Sequence, residues 1–253
     1  MTSLLVLDDV RVRFRQHEVL HGIDFAMGRE RVGVVGESGA GKSMLGRAVM
    51  RLLPTGAALS GRIAFDGVTL DDGNIGAARG RRIALIPQDP RFSLNPAMTV
   101  GDQLTEVLRA HRRLSRGDAR RETLRLLDAV RLRDPELVSG RYAHQLSGGI
   151  GQRAMIAMML APDPDLLIAD EPTSALDASV AGGILALLDA EVARRQTGVI
   201  LISHDLDLVA SFCDRVLVMR DGAIVETLRA SRLADAQHPY TRQLLAARLR
   251  LEG

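Results

Sequence analysis

Arg31-Val32-Gly33-Val34-Val35-Gly36-Glu37-Ser38-Gly39-Ala40-Gly41-Lys42-Ser43 is the stretch that decides the fold. Its first five residues are a short apolar run of the kind that makes a buried strand. Residues 36–43 then fit G-x-x-x-x-G-K-[ST] at every fixed position, and a helical stretch, Met44 to Leu53, runs up to Pro54. A strand that turns through glycines into a helix builds an anion site. The glycines let the backbone curl so that successive amides face phosphate oxygens, and the helix amino terminus adds partial positive charge. Gly36, Glu37, Ser38, Gly39, Ala40, Gly41, Lys42, Ser43 and Met44 are therefore the expected phosphate-binding residues. Lys42 would reach the β- and γ-phosphates of ATP, and the Ser43 hydroxyl would bind Mg²⁺.

Composition singles out the same lysine. Of the 33 basic residues 32 are arginine, and Lys42 is the only lysine in the 253-residue chain. A bias that removes lysine elsewhere yet spares one position marks a site needing a compact ammonium on a flexible stem, for which a planar guanidinium is a poor substitute. Other compositional features narrow the function by exclusion. A net charge of +2 and 3% aromatic residues offer neither the basic surface nor the stacking platform of a nucleic-acid binder. The basic cluster from Arg109 to Arg133 reads as a solvated helical face. The longest apolar run, Ala154 to Ala161, falls far short of the ~20 residues that span a bilayer. Asp8 and Asp9 interrupt the apolar start, so no signal peptide is expected and the chain should stay inside the cell. The single cysteine, Cys213, lies in an apolar-periodic stretch and reads as a buried structural thiol.

A second acidic element stands further along. In Leu166-Leu167-Ile168-Ala169-Asp170-Glu171, four apolar residues predict a buried strand with two carboxylates emerging at its carboxyl end, where α/β sheets place ligands. Adjacent acids at a strand end need a cation or a shared proton. Asp170 suits the acid that holds Mg²⁺, usually through water, and Glu171 the group that deprotonates an attacking water. With the glycine-rich loop, this pair defines a P-loop NTPase.

The hydrophobic pattern predicts extended pieces at Leu4–Leu7, Val10–Phe14 and Ile23–Ala26, then strands at Arg31–Val35, Ile63–Phe65 and Ile83–Ile86. From about 93 to 150 it predicts a helical insertion, with helices at Val100–Arg109 and Asp118–Val130. Helices at Gly151–Leu160 and Ser179–Arg194 then alternate with strands at Leu166–Ala169 and Val199–Ile202, which implies βαβ units and a parallel sheet. A closing hairpin turns at Asp221-Gly222, and Pro239–Leu251 reads as a short amphipathic helix within an extension covering about 230–253. The expected fold is a single α/β domain with an antiparallel β-layer at its amino end and a helical subdomain.

Six motifs in order give the family. Leu146-Ser147-Gly148-Gly149, followed by Gln152 and Arg153, resembles the signature of ABC ATPases and lies just ahead of the acidic strand. Gln88 in Ile86-Pro87-Gln88-Asp89-Pro90 looks like the Q-loop, a catalytic and Mg²⁺-binding position in the resemblance. Ser174-Ala175-Leu176-Asp177 looks like the D-loop, with Asp177 near nucleotide, and His204 like the catalytic switch histidine. Phe14 sits where the family places an aromatic that stacks on adenine. Each has a plainer reading alone: Gln88 as a polar turn residue, Phe14 as a core aromatic, His204 as a structural histidine, Ser147-Gly148-Gly149 as a helix cap. The resemblance implies that two subunits close head-to-tail on two ATPs, each phosphate loop facing the other's Ser147, Gly148 and Gly149. Ile150 and Gly151 depart from the family's usual glutamine and basic residue without touching the Ser-Gly-Gly core.

Pro87 to Val100, and His238-Pro239-Tyr240-Thr241 with Leu244 and Leu245, are similar to segments in ATPases of dipeptide, oligopeptide and nickel importers. That resemblance implies integral membrane permease subunits, a second and different ATPase as dimer mate, an extracytoplasmic substrate-binding protein, and a place on the cytoplasmic face of the inner membrane. The chain stops soon after the second match, so no iron–sulfur cluster is expected. A soluble ABC ATPase of DNA repair or translation is the alternative, although such proteins carry long coiled-coil or zinc-bearing insertions.

Overall fold

The computed structural model describes residues 3–88, 94–173 and 178–249. Strands β1 (Leu5–Phe14), β2 (His17–Met27) and β3 (Arg31–Val35) lead into helix α1 (Lys42–Val49). Strands β4 (Ala57–Phe65) and β5 (Val68–Thr69), the one-turn α2 (Ile75–Ala78) and β6 (Ile83–Ile86) follow. Four helices come next: α3 (Val100–Arg112), α4 (Arg116–Ala129), α5 (Pro135–Ser139) and α6 (Gly148–Leu160). Then β7 (Leu166–Asp170), α7 (Ala178–Arg195), β8 (Gly198–Ile202) and α8 (Leu206–Phe212) alternate. The hairpin β9 (Arg215–Arg220) and β10 (Ala223–Arg229) precedes the last helix, α9 (Pro239–Leu249). The chain forms two compact units, one made of residues up to Gly76 with those from Thr197 on, the other of Ala77–Gln196.

The first unit carries an antiparallel layer in the order β2-β1-β4-β5. The predicted pieces at Leu4–Leu7 and Val10–Phe14 are a single strand with a bulge, because Asp9 takes φ 44° and the register slips between Leu7 and Val10 on β2. Opposite the bulge a side chain at Gly61 would sit 2.2 Å from the Asp9 carbonyl oxygen, so close approach there requires glycine. The unit's second layer pairs β3 in parallel with both β8 and β9. All five residues of β8 are buried, as expected of a strand covered on both faces. The β9–β10 hairpin turns at Asp221 (φ 47°) and Gly222 (φ 76°), the left-handed pair that a two-residue type I′ turn needs.

Helix α8 was not separately expected; it packs so closely on β3 that a side chain at Gly33 would lie 2.2 Å from Val209 Cγ1. Cys213, just after α8, is buried as expected. Burial, helped by the neighbouring Asp214 charge, pushes its thiol up to about 12. At pH 8 only about one thiol in 10⁴ is ionised, so iodoacetamide should label Cys213 slowly in the folded protein and rapidly after denaturation. Equal rates would show that the thiol is exposed.

In the second unit β6 and β7 pair in parallel, Ile83 with Leu166 through Ile86 with Ala169. Helices α3 and α4 start at the side-chain caps Thr99 and Ser115, whose hydroxyls accept from the amides of Asp102 and Asp118. They bury Leu104 and Leu108 on one side and Leu126 and Leu127 on the other. In the basic cluster, Glu122 pairs with Arg112 and Arg125. Its hydrogen bond to Arg125 outweighs the opposing effect of burial and holds the carboxyl below its usual range. The cluster's arginines are exposed except for the half-buried Arg112, which matches the reading as a solvated helical face. Arg195, at the end of α7, donates to the Leu160 carbonyl at 2.9 Å and to Glu191 at 3.1 Å, tying α7 to the end of α6. Among the described residues no helix is long and apolar enough to cross a membrane.

Candidate functional site

The phosphate-loop residues lie between β3 and α1, as the sequence pattern requires. Gly41 is the cap of α1 at φ 93°, and Lys42 is the first helical residue. Gly36 abuts the β9 backbone, where a side chain would lie 2.1 Å from the Met219 carbonyl oxygen. At Gly41 an added carbon would be 2.9 Å from Leu20 Cδ2 and 3.1 Å from the Val19 carbonyl oxygen. Gly39, at φ 86°, has open space where a side chain would be. The loop is thus pressed against its own unit at Gly36 and Gly41 and open at Gly39, which is the shape of a cradle.

Lys42 is only 7% exposed, and its Nζ donates to the carbonyl oxygens of Gly36 at 2.7 Å and Glu37 at 2.9 Å. The ammonium is held over the loop by the loop's own backbone. Ala40 is buried, Met44 half-buried, and Glu37, Ser38 and Ser43 are exposed. Such a loop, with its amides and one fixed cation, fits a nucleotide's phosphates. Phe14, half-buried at the end of β1, has the Arg15 guanidinium 5.4 Å from its ring centroid. His204 is exposed in the bend between β8 and α8, where Ser203 accepts from the Asp205 amide and Asp205 in turn caps α8.

The remaining described candidates belong to the second unit. Four buried residues of β7 deliver Asp170, half-buried, and then Glu171. Glu171 adopts a left-handed backbone at φ 46°, a conformation that costs a residue other than glycine about 1–2 kcal/mol. Gln88 Nε2 donates to Glu171 Oε2 at 3.2 Å, so the Q-loop residue and the expected base stand together across 83 positions of sequence. No sequence signal announces that bond.

Ser147 occupies the cap of α6 with an extended backbone, but its hydroxyl makes no capping bond. Helix α6 begins at Gly148, three residues earlier than expected, and so takes in the signature glycines. Ser147 and Gly148 are exposed and Gly149 is half-buried. Five residues on, Gln152 is 2% exposed and donates to the Pro172 carbonyl oxygen at 2.7 Å. Gln152 thereby joins the signature helix to the segment that follows Glu171, a link that sequence reading does not supply. Asp177 and the rest of the D-loop match lie outside the described residues.

A model of the ABC transporter family matches residues 20–174. A probable peptide ABC transporter ATP-binding protein of Sinorhizobium fredii is 44% identical over 96% of this chain and 76% of its own length. An oligopeptide transport ATP-binding protein of Bacillus subtilis is 41% identical over the whole of this chain and 74% of its own. The glutathione import ATP-binding protein of Escherichia coli matches at 41% over 97% of this chain, which spans 42% of that longer protein. Among solved structures, the ATP-binding cassette MJ0796, a dimer in a post-hydrolysis state with ADP and Pi, superposes at TM-score 0.77 with 27% identity, covering 89% of this chain and 98% of that one. The protein cbiO1 of Clostridium perfringens superposes at 0.79 with 26% identity, covering 93% and 92%. These matches extend over both units and over the loop, signature and acidic strand alike; the chain belongs to the ABC transporter family and is an ATP-hydrolysing subunit of that family.

Proposed function

We propose that this chain powers an importer of short peptides by closing head-to-tail on ATP with a second ATPase subunit. The observation that carries the reading is the Gln88 donor on Glu171 at 3.2 Å, in a chain that also carries the phosphate-loop pattern and whose relatives are named for peptide, oligopeptide and glutathione transport. Those names favour peptides over the nickel complexes that the sequence resemblance also allowed. They lend nothing to a repair or translation ATPase.

In this reading ATP lies with its adenine on Phe14 and its phosphates in the loop from Gly36 to Met44. Ser43, Gln88 and, through water, Asp170 would hold Mg²⁺, which neutralises phosphate charge when bound. Among the described residues no group of three or more His, Cys, Asp and Glu side chains could hold a metal. The phosphate oxygens of the nucleotide would supply part of the cation's oxygen shell. A water oxygen attacks the γ-phosphorus, its proton passes to Glu171, and the bond from the γ-phosphorus to the ADP oxygen breaks. Lys42 stabilises the charge on the β- and γ-phosphates, and His204 contacts the γ-phosphate. Ser147, Gly148 and Gly149 contact the γ-phosphate held by the other subunit, with Asp177 close to the shared site. The helical subdomain near 93–150 and the extension near 230–253 are read as parts of one ATPase domain. Permease subunits would hold the chain at the cytoplasmic face of the membrane, and an extracytoplasmic binding protein would select the peptide.

The test is affinity purification of the tagged chain from membranes, followed by identification of the attached proteins and ATPase assay of the complex. Integral permeases, a second ATPase, and turnover stimulated by peptide-loaded binding protein are the expected result. A complex containing two copies of this chain would overturn the heterodimer. Stimulation by a nickel complex and not by peptides would overturn the substrate class.

A further inference from the structure

His238-Pro239-Tyr240-Thr241, near the carboxyl end, is one of the two segments similar to those of peptide and nickel importer ATPases. In the structure it meets the nucleotide loop. Helix α9 begins at Pro239, and its approach is fixed by Glu226 of β10, whose carboxylate accepts from the Gln237 amide at 2.7 Å. His238 Nδ1 stands 3.2 Å from the Tyr240 amide as its acceptor. Tyr240 is thereby set inside the unit, 3% exposed, with the Arg220 guanidinium 5.0 Å from its ring centroid. Its hydroxyl oxygen accepts from the Glu37 amide at 2.9 Å, over 203 positions of sequence.

The Glu37 amide and the Gly36 carbonyl are the two ends of one planar peptide unit. The amide end is held by Tyr240. The carbonyl end accepts from Lys42 Nζ at 2.7 Å. A rotation of that peptide would carry the carbonyl away from the ammonium, and Gly36 (φ 153°) has no side chain to oppose such a rotation. The hydroxyl of Tyr240 is the restraint on the other side. We infer that Tyr240 is a positioning residue for Lys42, acting through the Gly36–Glu37 peptide. Helix α9 is then part of the nucleotide site's support, and the affinity for ATP depends on how this helix is docked. The inference rests on Lys42 being the phosphate-binding lysine.

The experiment is a double-mutant cycle, with a fluorescent ATP analogue for Kd and thermal melting on the purified chain, and steady-state hydrolysis for KM and kcat on the chain assembled with its partner ATPase. Tyr240→Phe keeps the ring and its contact with Arg220 while removing the one acceptor. It should raise Kd and KM for ATP about 5- to 10-fold, the scale of one hydrogen bond, with kcat within about 2-fold. In a Lys42→Ala background the same change should raise Kd by less than about 2-fold, because the group it positions is gone. Equal increases in both backgrounds, especially with a fall in Tm above about 5 °C, would assign Tyr240 a general structural role and overturn the inference. An unchanged Kd in Tyr240→Phe would overturn it as well. Normal ATP affinity in Lys42→Ala alone would instead remove the underlying reading of the site.

Discussion

Lys42→Ala is expected to reduce ATP turnover by about 10² to 10³-fold, the scale for losing one preorganised charge-stabilising group at a transferring phosphoryl. Alanine is the best helix former, so α1 should keep its first turn, and the glycine contacts of the loop do not involve the side chain. Circular dichroism should therefore stay that of the wild type while ATP binding weakens. Lys42→Arg is the sharper case. The ammonium occupies a nearly closed space between two carbonyl oxygens, at 2.7 and 2.9 Å, and the guanidinium is larger, planar and unable to present one compact charge there. The arginine variant should also lose most of its turnover despite conserving the charge. Wild-type hydrolysis by Lys42→Arg would show that the absence of lysine elsewhere in the chain has nothing to do with this site.

How much of this was legible beforehand follows from the range of the interactions. Strands β3 and β6 fall where the sequence places them, because an apolar run bounded by a glycine turn or a proline specifies itself locally. The Asp221-Gly222 turn is equally local. Helix α1 is shorter than expected, ending at Val49, because Arg51 turns into the left-handed region (φ 50°) before Pro54 is reached. Strands β2 and β4 extend well beyond their predicted cores, since cross-strand pairing recruits polar residues such as His17, Glu18 and Ser60 that have little strand signal alone. Helices α5 and α8 are too short for a periodic pattern to stand out, although Asp134 and Asp205 are recognisable caps. The site shows the same division. Its loop, acidic strand and signature are contiguous in sequence and were all visible there. The Gln88–Glu171, Gln152–Pro172 and Tyr240–Glu37 contacts join distant segments, and nothing in the residue types says which partner each will find.

Glu171→Gln should separate nucleotide binding from hydrolysis, lowering turnover about 10²-fold or more, the usual scale for a general base. The substitution is unusually clean here. Glutamine can adopt the same left-handed backbone, and its side-chain carbonyl can still accept from Gln88 Nε2 where the carboxylate now does. Shape and orientation survive, and only the capacity to take a proton from water is lost. Gln88→Ala makes the complementary change: it leaves the carboxylate but removes its orienting donor together with one proposed Mg²⁺ ligand, so a loss of about 10-fold, smaller than that of the base itself, is expected at saturating Mg²⁺. In the glutamine variant the γ-phosphate persists, and a facing subunit's Ser147, Gly148 and Gly149 keep their ligand. With Mg²⁺-ATP and a competent partner the closed dimer should accumulate, seen as a mass increase by light scattering that is absent without ATP. Wild-type turnover by Glu171→Gln would move the role of base elsewhere, with His204 the leading candidate. Arrested hydrolysis without ATP-driven association would instead leave Glu171 as the base and remove the head-to-tail closure from the mechanism of this chain.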